Sequence, residues 1–301
     1  MRKLIISRLN PILLILIFLS GTTFAGESPT LETQLQPPPP GHLQIITTQD
    51  GSRTFGRIVS HDEQSCVFAT EMGDLTIPLE RIRSIQVIAE TALHDGEYWF
   101  PNPNSTRLYF APSGRMLPQG SGYFADYYFF FPTVVYGFTD RFTFGGGFSL
   151  FPGASLNKQL WYITPKFGLI SQPEFNAAIG ALVVGVPALV DEEDVPNLVG
   201  VLYGVGTLGG PDKSMTLGLG YGFVDDDLAE HPMVTVGGEY RAWRRAAFVT
   251  ENWWLPGVDF PIVSYGLRFF GERMSVDFAF LNFLEEPIFP GVPYIDFTVN
   301  F

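Results

Sequence analysis

The chain of 301 residues has little or none of several features, and each absence excludes a class of protein. It has one cysteine, Cys66, so it can form neither an internal disulfide nor a cysteine metal cluster. Basic residues are few: 18 Lys and Arg stand against 31 Asp and Glu, which gives a net charge of −13. Nucleic-acid binding depends on clustered basic side chains that contact phosphates, and this charge therefore argues against nucleic acid as a partner.

Long apolar runs are also missing. The longest one beyond residue 25 is Ala177–Val190, and Gly180, Gly185 and Pro187 interrupt it. A spanning helix needs about 20 apolar residues, so none is predicted. Hydrophobic residues still make up 46% of the chain and aromatic residues 15%, more than a disordered chain would carry.

Residues 1–25 have the three parts of a secretory signal peptide. Basic residues precede the apolar run Ile12–Leu19, and Thr23-Phe24-Ala25 fits a small-residue cleavage site. Residues 26–41 end in four prolines and a glycine, which favours a stiff, extended linker. An exported protein that is apolar and aromatic but has no spanning helix suggests a β-barrel, the other structure that closes its own hydrogen bonds in lipid.

Residues 42–90 are predicted to form a small β domain. Its five short strands are expected at 42–48, 53–60, 66–71, 75–78 and 84–88. Asp50-Gly51 supplies the positive φ angles of a hairpin turn between the first two strands. So many short strands in so few residues indicate a small, strongly bent barrel. Cys66 falls at a strand position, where a buried small apolar residue is expected.

The same segment resembles Sm-like (SH3-like) small barrels. The resemblance rests on Asp50-Gly51, Gly56-Arg57-Ile58, Asp62, Gly73, Ile77-Pro78 and Ile82. True Sm proteins bind RNA, but that role is not expected here, because the module is exported and lacks a basic aromatic surface. A periplasmic protein is the partner expected for residues 42–90, and residues 91–105 are expected to be a second linker.

From Arg107 onward, large apolar residues alternate with polar or small residues at every second position. In Val263–Phe269, for example, large apolar residues alternate with Ser264, Gly266 and Arg268. One strand face is then apolar and the other is glycine, hydroxyl or charge. A soluble β-sandwich also alternates, but its polar faces would be rich in lysine, and only three lysines follow residue 25. The pattern favours an all-β transmembrane barrel over residues 106–301.

Twelve antiparallel strands are predicted. They are placed at 106–112, 122–138, 141–151, 159–170, 174–187, 198–208, 213–222, 232–241, 246–254, 261–270, 273–283 and 293–301. Short and long connections alternate, as expected for periplasmic turns and extracellular loops. An even count puts both ends, and the 42–90 domain, in the periplasm. Pro132 in the overlong second strand predicts a bulge.

The C-terminal residues resemble the terminal recognition strand of bacterial outer-membrane proteins. Ile295, Phe297, Val299 and the terminal Phe301 alternate with polar residues. The resemblance implies recognition by the barrel-assembly machinery and a position in outer-membrane lipid. Asn102-Pro103, Thr106-Arg107, Pro112-Ser113-Gly114, Gly120–Tyr123 and Tyr136–Asp140 resemble, more loosely, uncharacterised outer-membrane barrels of Bacteroidetes-type bacteria. That resemblance implies a fold and a location but no activity.

Alternation also predicts which charges face the lumen. Arg268, Asp277 and Asp296 lie on consecutive strands, and the predicted first strand adds Arg107 as their neighbour. Further lumen charges are expected at Asp126, Lys166, Glu239, Arg241 and Glu251. Five acids and four bases are nearly balanced, which favours pairing across a largely plugged lumen, with Phe124 and Tyr128 as additional plugs. Glycine on the inner wall favours space, so a narrow solute channel remains the alternative.

No motif for chemistry is convincing. The glycines of Gly204–Gly209 lead into the turn Gly210-Pro211-Asp212, whereas a dinucleotide site needs a helix there. Neither Gly-x-Ser-x-Gly nor His-Glu-x-x-His occurs, so no enzyme, cofactor or metal site is predicted. Acidic clusters at 191–194, 225–227 and 285–286 are expected in long loops, either simply solvated or bridged by divalent cations to lipopolysaccharide.

Overall fold

The structure, a computed structural model, describes residues 35–94, 96–187, 197–285 and 287–301. The predicted signal peptide and most of the first linker lie outside these residues. The chain divides into two compact units, one ending at Glu97 and the other spanning Tyr98–Phe301. Within the described part of the chain, no helix is long and apolar enough to cross a membrane.

The first unit contains a five-stranded antiparallel sheet. Its strands are β1 (His42–Thr48), β2 (Arg53–His61), β3 (Ser65–Thr70), β4 (Gly73–Pro78) and β5 (Ile82–Ala89). They pair in the order β4–β3–β2–β1–β5. The five predicted strands are therefore present, but the pairing gives a sheet with β4 and β5 at its edges, and the closed small barrel is not established. Two-residue strands follow at β6 (Leu93–His94) and β7 (Glu97–Tyr98).

The core of this sheet is aliphatic. Ile46, Ile58, Cys66 and Phe68 are almost fully buried and pack together with Leu35. Gln44 is the polar exception: its amide accepts the backbone N–H of Ile58 at 2.9 Å and donates to the carbonyl of Gln36 at 2.9 Å. Cys66 packs as a small apolar residue within this core.

The second unit is a closed antiparallel barrel of twelve long strands. These are β8 (Gly122–Tyr127), β9 (Phe131–Thr139), β10 (Phe142–Phe148), β11 (Trp161–Ser171), β12 (Phe175–Gly185), β13 (Leu198–Gly210), β14 (Lys213–Val224), β16 (Met233–Trp243), β17 (Ala246–Trp254), β18 (Ile262–Phe270), β19 (Met274–Phe283) and β20 (Val292–Asn300). A two-residue strand, β15 (Asp227–Leu228), folds back on β14. Pairing of β20 with β8 and of β13 with β14 completes the ring.

The barrel is apolar outside and polar inside. On β14, Met215, Leu217 and Leu219 are about half exposed, whereas Thr216 between them is buried. Successive side chains of a strand point to opposite faces, so every strand that alternates in this way contributes to an apolar exterior and a polar lumen. This arrangement is typical of a transmembrane barrel.

The predicted number of strands is confirmed, but two assignments were wrong. Residues 106–112 do not form a wall strand, and they lie inside the barrel with a single bridge between Arg107 and Pro112. Residues 122–138 form two strands, β8 and β9, joined by a turn in which Tyr128 and Phe129 have φ values of 55° and 64°. Pro132 pairs with Asp126 without a bulge, and a complete hairpin turn precedes it. The strand gained at this turn offsets the strand lost at residues 106–112.

Candidate functional site in the barrel lumen

Residues 98–118, here called the inner segment, fill part of the lumen. The segment begins near the short turns of the barrel, where the Tyr98 carbonyl accepts a hydrogen bond from Arg244 at 3.0 Å. It reverses at Leu108–Ala111, with the Leu108 N–H bonded to the Ala111 carbonyl at 2.8 Å. It then returns toward the short turns, where the N–H of Gln119 bonds to Asp140 at 2.9 Å. Residues 98–105 therefore belong to the barrel unit, and the prediction of a linker up to residue 105 was wrong.

Arg107 joins the inner segment to the last wall strand. Its two terminal nitrogens donate to the two carboxylate oxygens of Asp296 at 2.9 and 3.0 Å. Nη2 also donates to the Thr298 hydroxyl at 2.8 Å, and Nη1 to the Tyr109 carbonyl at 2.5 Å. Tyr294 donates its hydroxyl to Asp296 as well. Both charges are buried, and each has the paired partner that a buried charge requires.

Arg268 connects the wall to the turn of the inner segment. It pairs with Asp277 through two 2.7 Å hydrogen bonds and with Glu239 at 2.9 Å. Its remaining donors reach the carbonyls of Asn104 and Leu108, both at 2.7 Å. The structure thus brings the four predicted residues into two neighbouring ion pairs, although Arg107 comes from the inner segment and not from a wall strand.

Glu251 holds the tip of the inner segment. One of its oxygens accepts the consecutive backbone N–H groups of Tyr109, Phe110 and Ala111 at 2.9, 3.0 and 2.9 Å. The other accepts the indole N–H of Trp253 at 2.7 Å. Successive N–H groups that converge on one anion form a nest, so this buried carboxylate is stabilised by backbone dipoles.

Arg241 and Glu239 fix the base of the inner segment. Arg241 donates to the Phe100 carbonyl at 2.8 Å and to Asp212 at 2.9 Å. Its guanidinium lies over the rings of Trp99, Phe100 and Phe270, with centroid distances of 5.1, 5.1 and 4.9 Å. Asn102 donates to Glu239 at 2.7 Å. The wall charges at this end therefore serve the same function as those at the tip: they bind the inner segment.

Lys166 differs from the other lumen charges. Its Nζ donates to the carbonyls of Arg115 at 2.5 Å and Thr106 at 3.3 Å, both in the inner segment. Among the described residues, no carboxylate lies within ion-pair distance of it. Its Nζ is buried and held by neutral oxygens.

Asp126 and Phe124 were predicted to face the lumen, and the structure corrects both. On β8, the inward residues are Tyr123, Ala125 and Tyr127, because Tyr127 lies opposite the inward Asp296 of β20. Asp126 instead caps the β8–β9 turn by accepting the N–H of Phe131 at 3.1 Å. Phe124 packs against Phe297 on the outer face, with ring centroids 5.9 Å apart.

Some inner-wall glycines accommodate side chains of the inner segment and therefore do not leave the lumen open. A Cβ on Gly237 would collide with the Leu108 side chain. A Cβ on Gly168 would lie 2.6 Å from Met116. The expectation that glycine on the wall leaves the lumen open was therefore wrong at these positions. Gly204 lies on the outer face of β13, because it pairs with the outward residues Ile179 and Leu219, so it does not bear on the space in the lumen.

A cavity of about 490 Å³ remains beside the inner segment. It is lined by Phe110 of the inner segment and by wall residues that include Tyr128, Tyr203, Met233 and Trp253. Met233 and Trp253 lie at strand ends that lead into the long connections, whereas Thr143 and Thr216 lie toward the short turns, so the cavity extends along the inner segment. Tyr128, predicted as a plug, lines this cavity and packs edge-on against Tyr294 at 5.1 Å.

The terminal strand has the alternation that the sequence indicates. Ile295, Phe297 and Val299 share the outer face, whereas Tyr294, Asp296 and Thr298 are buried inside. Phe301 exchanges two backbone hydrogen bonds with Gly122, the first residue of β8, at 2.9 and 3.2 Å. It thus closes the barrel seam at the short-turn end.

The acidic loops present no metal site in the part that is described. Residues 191–194 and 286 lie outside the described residues. Asp225 accepts the backbone N–H groups of Asn197 and Leu198 at 3.0 and 2.9 Å, so it organises its own loop. Within the described ranges, no group of three or more His, Cys, Asp or Glu residues is arranged to hold a metal ion.

The comparisons with known proteins concern the fold. A loop L8 deletion mutant of OmpT, an outer membrane protein of Vibrio cholerae, is 11% identical and covers 86% of this chain and 96% of its own, with a TM-score of 0.31. Salmonella typhi OmpF in complex with daunomycin is 11% identical over 87% and 95% of the two chains, with a TM-score of 0.32. No protein-family model and no curated protein matches the chain. The chain has a closed antiparallel β-barrel fold, and likeness at this level assigns no role to any residue.

The prediction that the chain is not an enzyme is corrected here. A β-barrel fold hosts more than one function, so the fold does not exclude an enzyme. The missing serine-hydrolase and zinc-protease motifs exclude only the chemistry of those motifs. Catalysis therefore remains open for this barrel.

Proposed function

We propose that this chain is an outer-membrane protein that anchors its first unit in the periplasm and whose lumen is largely closed by the inner segment. The observation that carries the proposal is the set of buried contacts between wall charges and that segment. Arg268, Glu251 and Arg241 each bond to its backbone carbonyl or N–H groups. Breaking these contacts would leave buried hydrogen-bonding groups of the wall and of the segment unsatisfied, so the closed arrangement is stabilised.

A narrow solute channel is the second candidate. The cavity beside the inner segment supports it, since Gly218 and Gly220 line that part of the wall with little side-chain bulk. The two candidates differ in whether a continuous aqueous path passes the inner segment.

Conductance in planar bilayers distinguishes them. The purified full-length protein is expected to give no steady open level. A variant in which residues 99–117 are replaced by a Gly-Ser linker is expected to give reproducible conductance steps. Steady steps from the wild-type protein, at the level of a water-filled pore, would overturn closure and favour the channel. A folded linker variant that stays silent would show that the inner segment is not the barrier.

Protease accessibility tests the topology. Protease added to intact cells is expected to leave residues 42–90 uncut, and cutting is expected only after the outer membrane is permeabilised. A tag inserted at Asp226, in a long connection, serves as the surface control. Cleavage of residues 42–90 in intact cells would contradict a periplasmic first unit.

A further inference from the structure

The lumen cavity has the size and lining of a small-molecule site. Its volume of about 490 Å³ falls in the range of roughly 300–1,000 Å³ that is typical of ligand pockets. The lining is largely apolar and includes the aromatic residues Phe110, Tyr127, Tyr128, Phe131, Tyr162, Tyr203 and Trp253. Such a surface suits an apolar chain that leaves water for an apolar enclosure.

The charged lining residues are all basic. Among the described residues, only Arg107 and Lys166 line the cavity with a charge, and no carboxylate does. Arg107 is neutralised by Asp296. Lys166 has three donors, of which two are directed at backbone carbonyls of the inner segment. One N–H of Lys166 therefore has no acceptor among the described residues, and no carboxylate there neutralises the side chain.

An unneutralised ammonium in an apolar enclosure is costly, and an anion bound beside it would lower that cost. We propose that the cavity binds an amphipathic monocarboxylate, with its carboxylate at Lys166 and an aliphatic chain of roughly eight carbons along the aromatic lining. One lysine matches one negative charge better than it matches a doubly charged phosphate monoester. The inference goes beyond the proposed function, because it holds whether or not the lumen conducts.

Head-group selectivity of the wild-type protein provides the first test. Octanoate, octanol and octylammonium share one chain and differ in charge. Binding is measured by titration calorimetry on the full-length protein in lipid nanodiscs, with empty nanodiscs subtracted. Octanoate is expected to bind at least tenfold more tightly than octanol, and octylammonium is expected not to bind. Equal affinity for octanoate and octanol, or no octanoate binding above empty nanodiscs, would overturn the proposal.

Variants then locate the site. Lys166→Met is expected to abolish the preference for octanoate and to leave octanol binding unchanged. Lys158→Met, at an exposed loop lysine, is the matched control and should keep the preference. Retained preference in Lys166→Met would contradict the assignment of the carboxylate to Lys166.

Fluorescence quenching of Trp253 tests the same site without a change at Lys166, and it applies even if Lys166→Met fails to fold. 8-Bromooctanoate quenches tryptophan fluorescence on contact, and Trp253 lines the cavity. Quenching of the wild-type protein is expected to be reversed by excess octanoate and reduced in Trp253→Phe. Quenching that is equal in the wild-type protein and Trp253→Phe would place the ligand elsewhere and overturn the proposal.

Discussion

Arg107 and Asp296 lie 189 positions apart in the sequence, and their side chains form a buried ion pair through two hydrogen bonds of 2.9 and 3.0 Å. Arg107 belongs to the inner segment and Asp296 to the last wall strand. The pair therefore ties the segment that enters the lumen to the strand that closes the barrel. Both side chains are almost fully buried, so neither charge has water as an alternative partner.

Asp296→Asn is expected to destabilise the barrel. The substitution keeps the shape of the side chain but leaves the Arg107 guanidinium buried without its counter-charge, which costs about 3–5 kcal/mol. The midpoint of urea unfolding in lipid, followed by the gel mobility of the folded barrel, measures the loss. Asp259→Asn, at an exposed loop position, should change stability by less than about 0.5 kcal/mol. Unfolding of both variants at the same urea concentration would contradict the role given to this ion pair.

Glu251→Gln is expected to loosen the tip of the inner segment. The amide removes the negative charge on which the N–H groups of Tyr109, Phe110 and Ala111 converge. Hydrogen bonds to a charged group each contribute about 1.5–3 kcal/mol. Hydrogen exchange of peptides that cover these residues should become faster, whereas Glu230→Gln in an exposed loop should leave it unchanged. Unaltered exchange in Glu251→Gln would mean that Glu251 does not hold the tip.

Cys66 is expected to be unreactive in the folded protein. It is fully buried in the core of the first unit, and this burial raises the pKa of its thiol. Because the thiolate is the reactive form, its fraction stays small until the pH rises above the usual thiol pKa. Maleimide labelling between pH 7 and 8 should be slow in buffer and fast in urea. Ser60→Cys in a Cys66→Ala background, at an exposed position of β2, should label rapidly under both conditions. Rapid labelling of native Cys66 would be inconsistent with its burial.

Phe301→Ala is expected to reduce the yield of assembled barrel, and Phe301→Tyr is expected to retain it. The aromatic ring packs against the position of Gly122 at the seam, and the terminal strand resembles an assembly signal. Pulse-chase labelling with a folded-mobility readout measures the rate of assembly in cells. Equal assembly rates of Phe301→Ala and the wild-type protein would contradict a role of Phe301 in assembly.

The barrel was predictable because its exterior is constrained at every second residue. Val263, Tyr265 and Leu267 face outward while Ser264 and Arg268 are buried, as alternation indicates. A slip of one residue would transfer a whole apolar face into the lumen, so the pattern fixes the register of each regular strand. The same pattern indicated Arg268 and Asp277 as inward residues on neighbouring strands.

The inner segment could not be predicted in this way, because it presents no face to lipid and has no period. Its contacts join backbone groups to distant side chains, as between Gly114 and Thr207 or between Pro103 and Asn300. Local sequence carries no record of such partners. The one available signal was negative: alternation is lost between Tyr98 and Pro118, and Pro112 interrupts the strand that was assigned there.

The β8–β9 turn was missed for a different reason. Tyr128 and Phe129 both adopt positive φ, which hairpin turns usually assign to glycine, asparagine or aspartate. Two aromatic residues at these positions look like a continuing strand. The missed turn does not explain the assignment of Asp126 and Phe124 to the lumen, because odd-numbered residues face inward on both β8 and β9.

The position of the inner segment within the lumen of the folded barrel underlies the proposed closure, and cysteine cross-linking tests that position. Met116 contacts the position of Gly168 on the wall, so Met116→Cys with Gly168→Cys, in a Cys66→Ala background, should form a disulfide in isolated membranes under mild oxidation. Thr207→Cys with Thr216→Cys, whose native hydroxyls are 2.8 Å apart across two wall strands, shows that the oxidant reaches the lumen. We expect both pairs to cross-link and the Met116–Gly168 disulfide to be found by mass spectrometry. Cross-linking of the wall pair alone, in a barrel of folded mobility, would show that the inner segment does not lie in the lumen.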